Sequence, residues 1–273
     1  MGEEGYVVEA GRPAAARWSA LWRYRDLLWS FTLREVQVRY RQAVLGAAWA
    51  VLQPVALAIV TTLVFHHALD VESRGAPYGL FVFTALVPWA AFHTAVLGAV
   101  PTLVNNAGLL RKIWFPRESL PLATVFAAGL DLAVGLVVWL VLLLVYGVGW
   151  HLTLLWVFPL LLILFAFAAA CALAGAAINV RFRDVKHALP LALQVLFFAT
   201  PIVVPLEMFP EPWARVLDLN PLTSVVVGMR DIALDGTAPD LVRTLLGAMG
   251  SFIFLALAGV LFLKSERRFA DIV

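Results

Sequence analysis

Side chains able to do acid/base chemistry are sparse in this sequence. Glu207, Glu211 and Asp218 gather around Arg215 in one short stretch. Carboxylates held in pairs can act as general acid and base, but a solvated loop rim accounts for the same cluster. There is no G-x-x-x-x-G-K-[ST] loop to cradle phosphates, and no H-E-x-x-H, C-x-x-C or G-x-S-x-G. The chain is therefore not itself a P-loop ATPase. His66 and His67 read as interfacial residues rather than ligands, because adjacent positions on a helix face different ways. Asp131 is the one ionisable residue well inside an apolar run. Such a group costs at least about 2.5–3.5 kcal/mol at mid-bilayer and usually faces a bundle interior. It can line a polar path, or it can be hydrogen-bonded and fix the packing of its helix.

A second kind of chemistry, recognition, is concentrated at 105–121, NNAGLLRKIWFPRESLP. Apolar Leu109, Leu110, Ile113, Trp114 and Phe115 stand beside Arg111, Lys112 and Arg117, with Pro116 breaking the chain. An apolar anchor inside a charged rim is the usual make-up of a docking surface. The alternative is a membrane-surface loop whose cations snorkel. The segment lies between two long apolar runs: 75–110 holds no Asp, Glu, Lys or Arg, and 119–180 holds only Asp131. A charged hinge between membrane-length runs must sit at a water face.

Composition says which solvent the rest of the chain meets. Of 273 residues, 62% are hydrophobic and 14% charged, against about 45–50% and about 25% in soluble domains. So much apolar surface does not fit inside one core, and lipid must cover most of it. Cys171 is alone, so no intrachain disulfide forms. The first 44 residues carry seven Arg and no uninterrupted apolar stretch, so the first long run should stay in the membrane uncleaved.

The elements that must position these residues follow in order. The tail, 1–16, has no periodicity. From 18 to 42 the pattern turns helical, with Trp22, Trp29, Leu33, Val36 and Tyr40 on one face and Arg23, Ser30, Arg34, Gln37 and Arg41 beside it. Aromatic rings next to Arg describe a helix lying in the headgroup layer. Six crossings are then expected at 45–69, 78–104, 119–146, 152–179, 188–206 and 244–263, each long enough for a hydrocarbon layer of about 30 Å. Cytoplasmic pieces would occupy 1–44 and 264–273. Between the fifth and sixth crossings come Pro201, Pro205, Pro210, Pro212, Pro221 and Pro239. These should end the fifth helix early, because an interior Pro removes a hydrogen bond. Asn220 and Pro221 read as N-cap and first position of a helix over 222–234. Short segments dipping back into the membrane there would form a lid.

Charge assigns the sides. The tails and the loops at 105–118 and 181–187 hold 16 of the 20 Lys and Arg. Arg74, Arg215, Arg230 and Arg243 fall on the other side. The positive-inside rule then places both termini in the cytoplasm.

At this point the chain resembles the membrane permease of ABC type-2 exporters, in the branch that carries O-antigen, capsular polysaccharide, teichoic acid or similar polymers. The motifs are LREVQVRYRQAVLGAAWAVLQP at 33–54, LLRKIWFPRESLP at 109–121, NVRFRDVKH at 179–187, TPIVVPLEMFP at 200–210 and LNPLTSVVVGMRDIAL at 219–234. The resemblance implies an all-α integral membrane protein with an N-terminal interface helix, six spans and short re-entrant gate helices. It implies a homodimer with two copies of a separate ATP-binding subunit. ATP and Mg would be held on that partner, with no cofactor, metal or catalytic residue in this chain and no nucleic acid. Coupling to the ATPase would run through Leu109, Arg111, Lys112, Trp114, Phe115, Pro116 and Arg117, with Arg181, Arg183 and Asp184 as a smaller contact. Arg34, Arg39 and Arg41 would guide a lipid diphosphate, since guanidinium forks onto phosphate. Leu45-Gly46 would break the interface helix from the first span. Trp49, Phe65, Phe197 and Phe198 would line the channel and stack on sugars, and Pro201, Pro205, Asn220 and Pro221 would build the outer gate. The substrate would be a lipid-linked polysaccharide leaving the cytoplasm across the bacterial plasma membrane. Replacing both Phe115 and Arg117 would uncouple hydrolysis from transport without unfolding. The rivals are a drug or lipid exporter of the same build, an ion-coupled transporter, and a membrane-embedded transferase.

Overall fold

The computed structural model describes residues 22–41, 46–68, 77–113, 115–149 and 151–272, apart from the side chains of 47, 66–68 and 267–272. Every regular element among them is helical. The ring of Trp114 and the imidazoles of His66 and His67 lie outside the described residues, as does most of the expected break at Leu45.

Helix α1 (Arg25–Tyr40) leads into a short 3-10 turn, Gly46–Ala48, and α2 (Trp49–Thr61), which relaxes into a π-turn over Thr62–Ala68. Gly46 has φ +49, a left-handed conformation that a side chain would strain. Helix α3 (Tyr78–Ala99) stops before Pro101, and short helices α4 (Thr102–Asn105) and α5 (Ala107–Lys112) follow. The second crossing, expected at 78–104, is therefore broken near its end, where Pro101 brings no N–H. Helices α6 (Ser119–Val145) and α7 (Val157–Arg181) form a hairpin, with a 3-10 turn, Leu152–Trp156, before α7. Then come α8 (Val185–Phe198), α9 (Glu211–Asp218), α10 (Pro221–Arg230) and α11 (Leu241–Ile272).

Two boundaries move from those expected. The fifth crossing, placed at 188–206, is helical only to Phe198, and the chain then runs irregular through Pro201 and Pro205. The sixth, placed at 244–263, is the middle of a helix that reaches Ile272, so the supposed tail at 264–273 is helical nearly to its end. Nothing between Leu263 and Ile272 is Gly or Pro, so no residue there stops the helix.

Among the described residues, four helical stretches are long and apolar enough to cross a membrane: Tyr78–Ala99, Ser119–Val145, Leu152–Arg181 and Leu241–Glu266. Trp49–Phe65 and Val185–Phe198 are apolar but shorter. Helix α3 sits at the centre, with 16 of its 22 residues buried, as expected of a helix apolar all round. It packs on α6 and α7, while α11 lies along α7. Close approach matters here: a Cβ on Gly175 of α7 would come within 2.5 Å of Val100. Trp139 of α6 donates its indole N–H to Thr84 of α3 at 3.0 Å, a buried polar tie. By contrast α2 and α8 sit at the edge with bare outward faces, among them Leu57, Ile59, Val60 and Leu63, and Leu191, Val195 and Phe198.

Of the face its pattern marks, the interface helix half-buries Val36 and Tyr40. Leu27, Phe31, Thr32 and Arg39 face the bundle as well, and Leu27 and Phe31 pack on a cluster that includes Leu103, Phe115 and Phe262. Trp22, Trp29 and Leu33 are exposed, Trp22 at 73%. Contacts made by Phe31 and Arg39 decide the orientation, leaving the Trp rings where a headgroup layer would take them.

Candidate functional site

Three polar constructions stand out, two toward the end of the bundle that holds α5 and one toward the other end. The first is a cavity of about 290 Å³ where α1 meets α2, α3 and α6. Its polar lining is Arg39 and Tyr40 at the end of α1, Gln53 of α2, Thr94 of α3 and Asp131 of α6, with the Trp49 ring beside them. The Arg39 guanidinium donates to one Asp131 oxygen, and Tyr40 donates its hydroxyl to the other at 2.6 Å. Both reading options for Asp131 thus meet in one place: it fixes a helix, and it lines a polar space. Burial first, then the Asp131 hydrogen bond and charge, push the Tyr40 phenol up to about 12, so Tyr40 remains a donor throughout the physiological range. Arg34 and Arg41 point away and are exposed. Of the three arginines singled out for diphosphate, only Arg39 lines the cavity, and it already holds a carboxylate.

The second construction is the basic hinge. Arg111, Lys112 and Ile113 are exposed around a shallow pocket of about 190 Å³ that Leu110, Phe115 and Arg117 also line. Phe115, however, is 3% exposed and meets the Phe31 ring edge-on at 5.5 Å. Pro116 is buried as well. Arg117 donates to the Glu266 carbonyl of α11 at 3.0 Å, with its carboxylate 4.0 Å away. Phe115 and Arg117 therefore tie the hinge to α1 and α11 from within, and replacing Phe115 would damage the fold. The outward surface is Arg111, Lys112 and Ile113. Nearby, Arg181, Arg183 and Asp184 are exposed on the tight α7–α8 turn. Asn179 is buried below them, and its Oδ1 accepts the Lys186 N–H at 3.3 Å.

The third lies where α8 gives out. Asn220 caps α10 as its sequence suggests, accepting the Leu222 N–H at 3.0 Å, with Pro221 at the first helical position. Its amide N–H₂ also reaches back to the Ala199 carbonyl at 3.2 Å and Thr200 Oγ1 at 2.9 Å. Arg230, counted on the outer side and within the helix expected over 222–234, is 1% exposed at the end of α10. It donates to the carbonyls of Phe81, Pro201 and Ile202 and lies 3.5 Å over the Phe81 ring. Tyr78 donates to the Val203 carbonyl at 2.7 Å. Rather than a loose lid, α10 is a fully buried helix packed on α3, α7 and α11. Pro201 and Pro205 are buried too.

Among the aromatic candidates, Trp49 is exposed at the first cavity and Phe198 is 65% exposed on the bare face of α8. Phe197 is half-buried, edge-on to Trp89 at 5.3 Å and to Phe198 at 5.3 Å. Phe65 packs partly buried against the core. Tyr40, Gln53, Tyr78, Arg230 and Glu266 were not singled out from sequence. A guanidinium closing the apolar run 221–230 is the one available signal, and in the sequence it counts only toward the charge of the outer side.

A multi-pass helical membrane protein with a basic hinge at one end and a broken fifth helix at the other defines the class. The chain matches the ABC-2 type transporter family model over residues 26–234, and it belongs to that family. It is 34% identical over 256 residues to the "O-antigen export system permease protein RfbA" of Myxococcus xanthus, covering 92% of this chain and 96% of that one. A Klebsiella pneumoniae protein of the same name is 31% identical over 252 residues, 91% and 95% of the two chains. The "Polysialic acid transport protein KpsM" of Escherichia coli is 26% identical over 212 residues, 75% and 80%. Membership makes this chain a transmembrane permease subunit and implies an ATP-binding partner.

Proposed function

We propose that this chain is the channel-forming permease of an ATP-driven exporter that carries a lipid-linked polysaccharide, O-antigen or a similar polymer, out of the cytoplasm. The observation that carries this reading is the likeness to O-antigen export permeases across more than nine-tenths of the chain. A drug exporter or an ion-coupled transporter has no such relative among these matches, and one intramembrane carboxylate, already paired, gives an ion relay little to work with.

In this reading α2 and α8 complete six crossings, and the positive-inside bias puts both termini and the hinge in the cytoplasm. The bare faces of α2 and α8 suit a second copy of the chain, with the path between the two copies. Two ATP-binding subunits, holding ATP and Mg, dock on Arg111, Lys112 and Ile113 and on the turn at Arg181, Arg183 and Asp184. Their closure pushes the hinge, and because Phe115 and Arg117 fasten it to α1 and α11, those helices move with it. The lipid diphosphate enters near Arg39, Tyr40 and Trp49, where a cation, donors and a ring surround one cavity. Trp49 and Phe198 offer ring faces to sugars. Buried Pro201, Pro205 and Pro221, with half-buried Asn220, form the rim at the outer side.

Removal of this protein from cells tests the reading. Accumulation of a lipid-linked glycan on the inner leaflet is the expected result, and a glycan that still reaches the surface at the normal rate contradicts it.

A further inference from the structure

The end of α8 poses a problem of membrane physics. Fourteen residues at about 1.5 Å each give about 21 Å of helix, short of a hydrocarbon layer of about 30 Å. The rest of that crossing is irregular backbone around Pro201 and Pro205, and such backbone survives at membrane depth only where protein or a watery cavity satisfies it. Five consecutive carbonyls are satisfied here. Ala199 O accepts from Asn220, Thr200 O from the Ile202 N–H, Pro201 O and Ile202 O from Arg230, and Val203 O from Tyr78. Apart from the Ile202 N–H, which lies within the break, the donors come from both ends of α10 and from the first turn of α3. The same guanidinium takes Phe81 O of α3. One side chain therefore joins three elements: α3, α10 and the broken end of α8.

The consequence follows from geometry. Thr200, Pro201, Ile202 and Val203 are buried, yet Phe198 just before them is exposed on the bare face of α8. The break cannot rise like a flap without stripping several carbonyls at once. It moves only as part of a block with α10 and the start of α3. We propose that Arg230 is the positioning residue of a clasp, assisted by Tyr78 and Asn220, that locks this block and keeps the outer end of the path sealed while the ATP-binding subunits are idle. The proposal rests on the permease reading and concerns its resting state. Lys at position 230 would keep the charge but offers one point of donation in place of a planar fork.

The test uses the permease with its ATP-binding subunit in liposomes loaded with carboxyfluorescein, without nucleotide. Wild-type vesicles are expected to hold the dye. Arg230→Lys vesicles, carrying the same amount of protein with an unchanged melting temperature, should lose dye at least tenfold faster, and Tyr78→Phe about two- to threefold faster. Tight Arg230→Lys vesicles would overturn the proposal. Should Arg230→Lys fail to assemble, Tyr78→Phe decides: leakage supports the clasp, and a wild-type seal overturns it. ATP-driven glycan movement by the wild-type complex is scored in parallel, so a failed export reading is told apart from a failed clasp.

Discussion

Two guanidiniums, one half-buried and one fully buried, hold this molecule together in opposite ways. Arg39, toward the hinge end, meets a carboxylate beside an open cavity. Arg230, toward the other end, is buried and donates to backbone carbonyls of α3 and of the break after α8. A charge paired with a charge can be exchanged, because an incoming anion can replace Asp131 and a water or hydroxyl can serve Asp131 in turn. A charge spread over several carbonyls cannot be exchanged without leaving each of them bare. The first arrangement suits a place where a ligand enters, and the second suits a place that must stay shut.

The contrast can be broken by mutation. Arg230→Met should be the most damaging single change, since three carbonyls lose their donor at about 1–3 kcal/mol each in a buried setting. A large drop in melting temperature of the detergent-solubilised protein is the expected result, and a wild-type melt would reduce Arg230 to an ornament. Phe115→Ala comes next, at about 3 kcal/mol for a buried aromatic removed from its Phe31 contact. Lys112→Ala at the same hinge should leave the melt unchanged while reducing coupled ATPase activity, and that difference separates the inner from the outer side of the hinge.

How much of this was legible beforehand follows from distance along the chain. Four of the six membrane-length apolar runs, the Pro-rich break and the Asn220-Pro221 helix start are local patterns that appear in the structure. The clasp and the cavity are not local. Arg39 and Asp131 stand 92 residues apart, Tyr78 and Val203 125, Arg230 and Phe81 149. Nothing in one sequence states which of several arginines finds a partner. The partners of α1 are hidden for the same reason, because nothing local shows that Phe31 meets Phe115. Phe115 was read as a docking residue because an aromatic beside Arg looks alike whether it points out or in.

Smaller effects sharpen the comparison further. Asp131→Asn leaves Arg39 without its counter-charge, and partial exposure of the pair limits the cost to about 1–2 kcal/mol. Adding Arg39→Gln should return part of that loss, and a double-mutant cycle by thermal melting measures it. Additive losses would mean the pair does not interact. Least affected should be Arg215→Ala on α9, whose exposed pair with Glu211 is worth below about 0.5 kcal/mol. A larger loss there would show that α9 is held by something besides that pair.

The central claim is that this chain is a conduit moved by a separate nucleotide-binding partner through the hinge at Arg111, Lys112 and Ile113. Transport of a lipid-linked glycan should be measured in vesicles holding the permease alone, with the ATP-binding subunit, and with that subunit and the Arg111→Ala/Lys112→Ala/Ile113→Ala permease. Movement only in the second preparation, and only with ATP, is the predicted result. Glycan movement by the permease alone, or full ATP-driven movement by the triple variant, would contradict it.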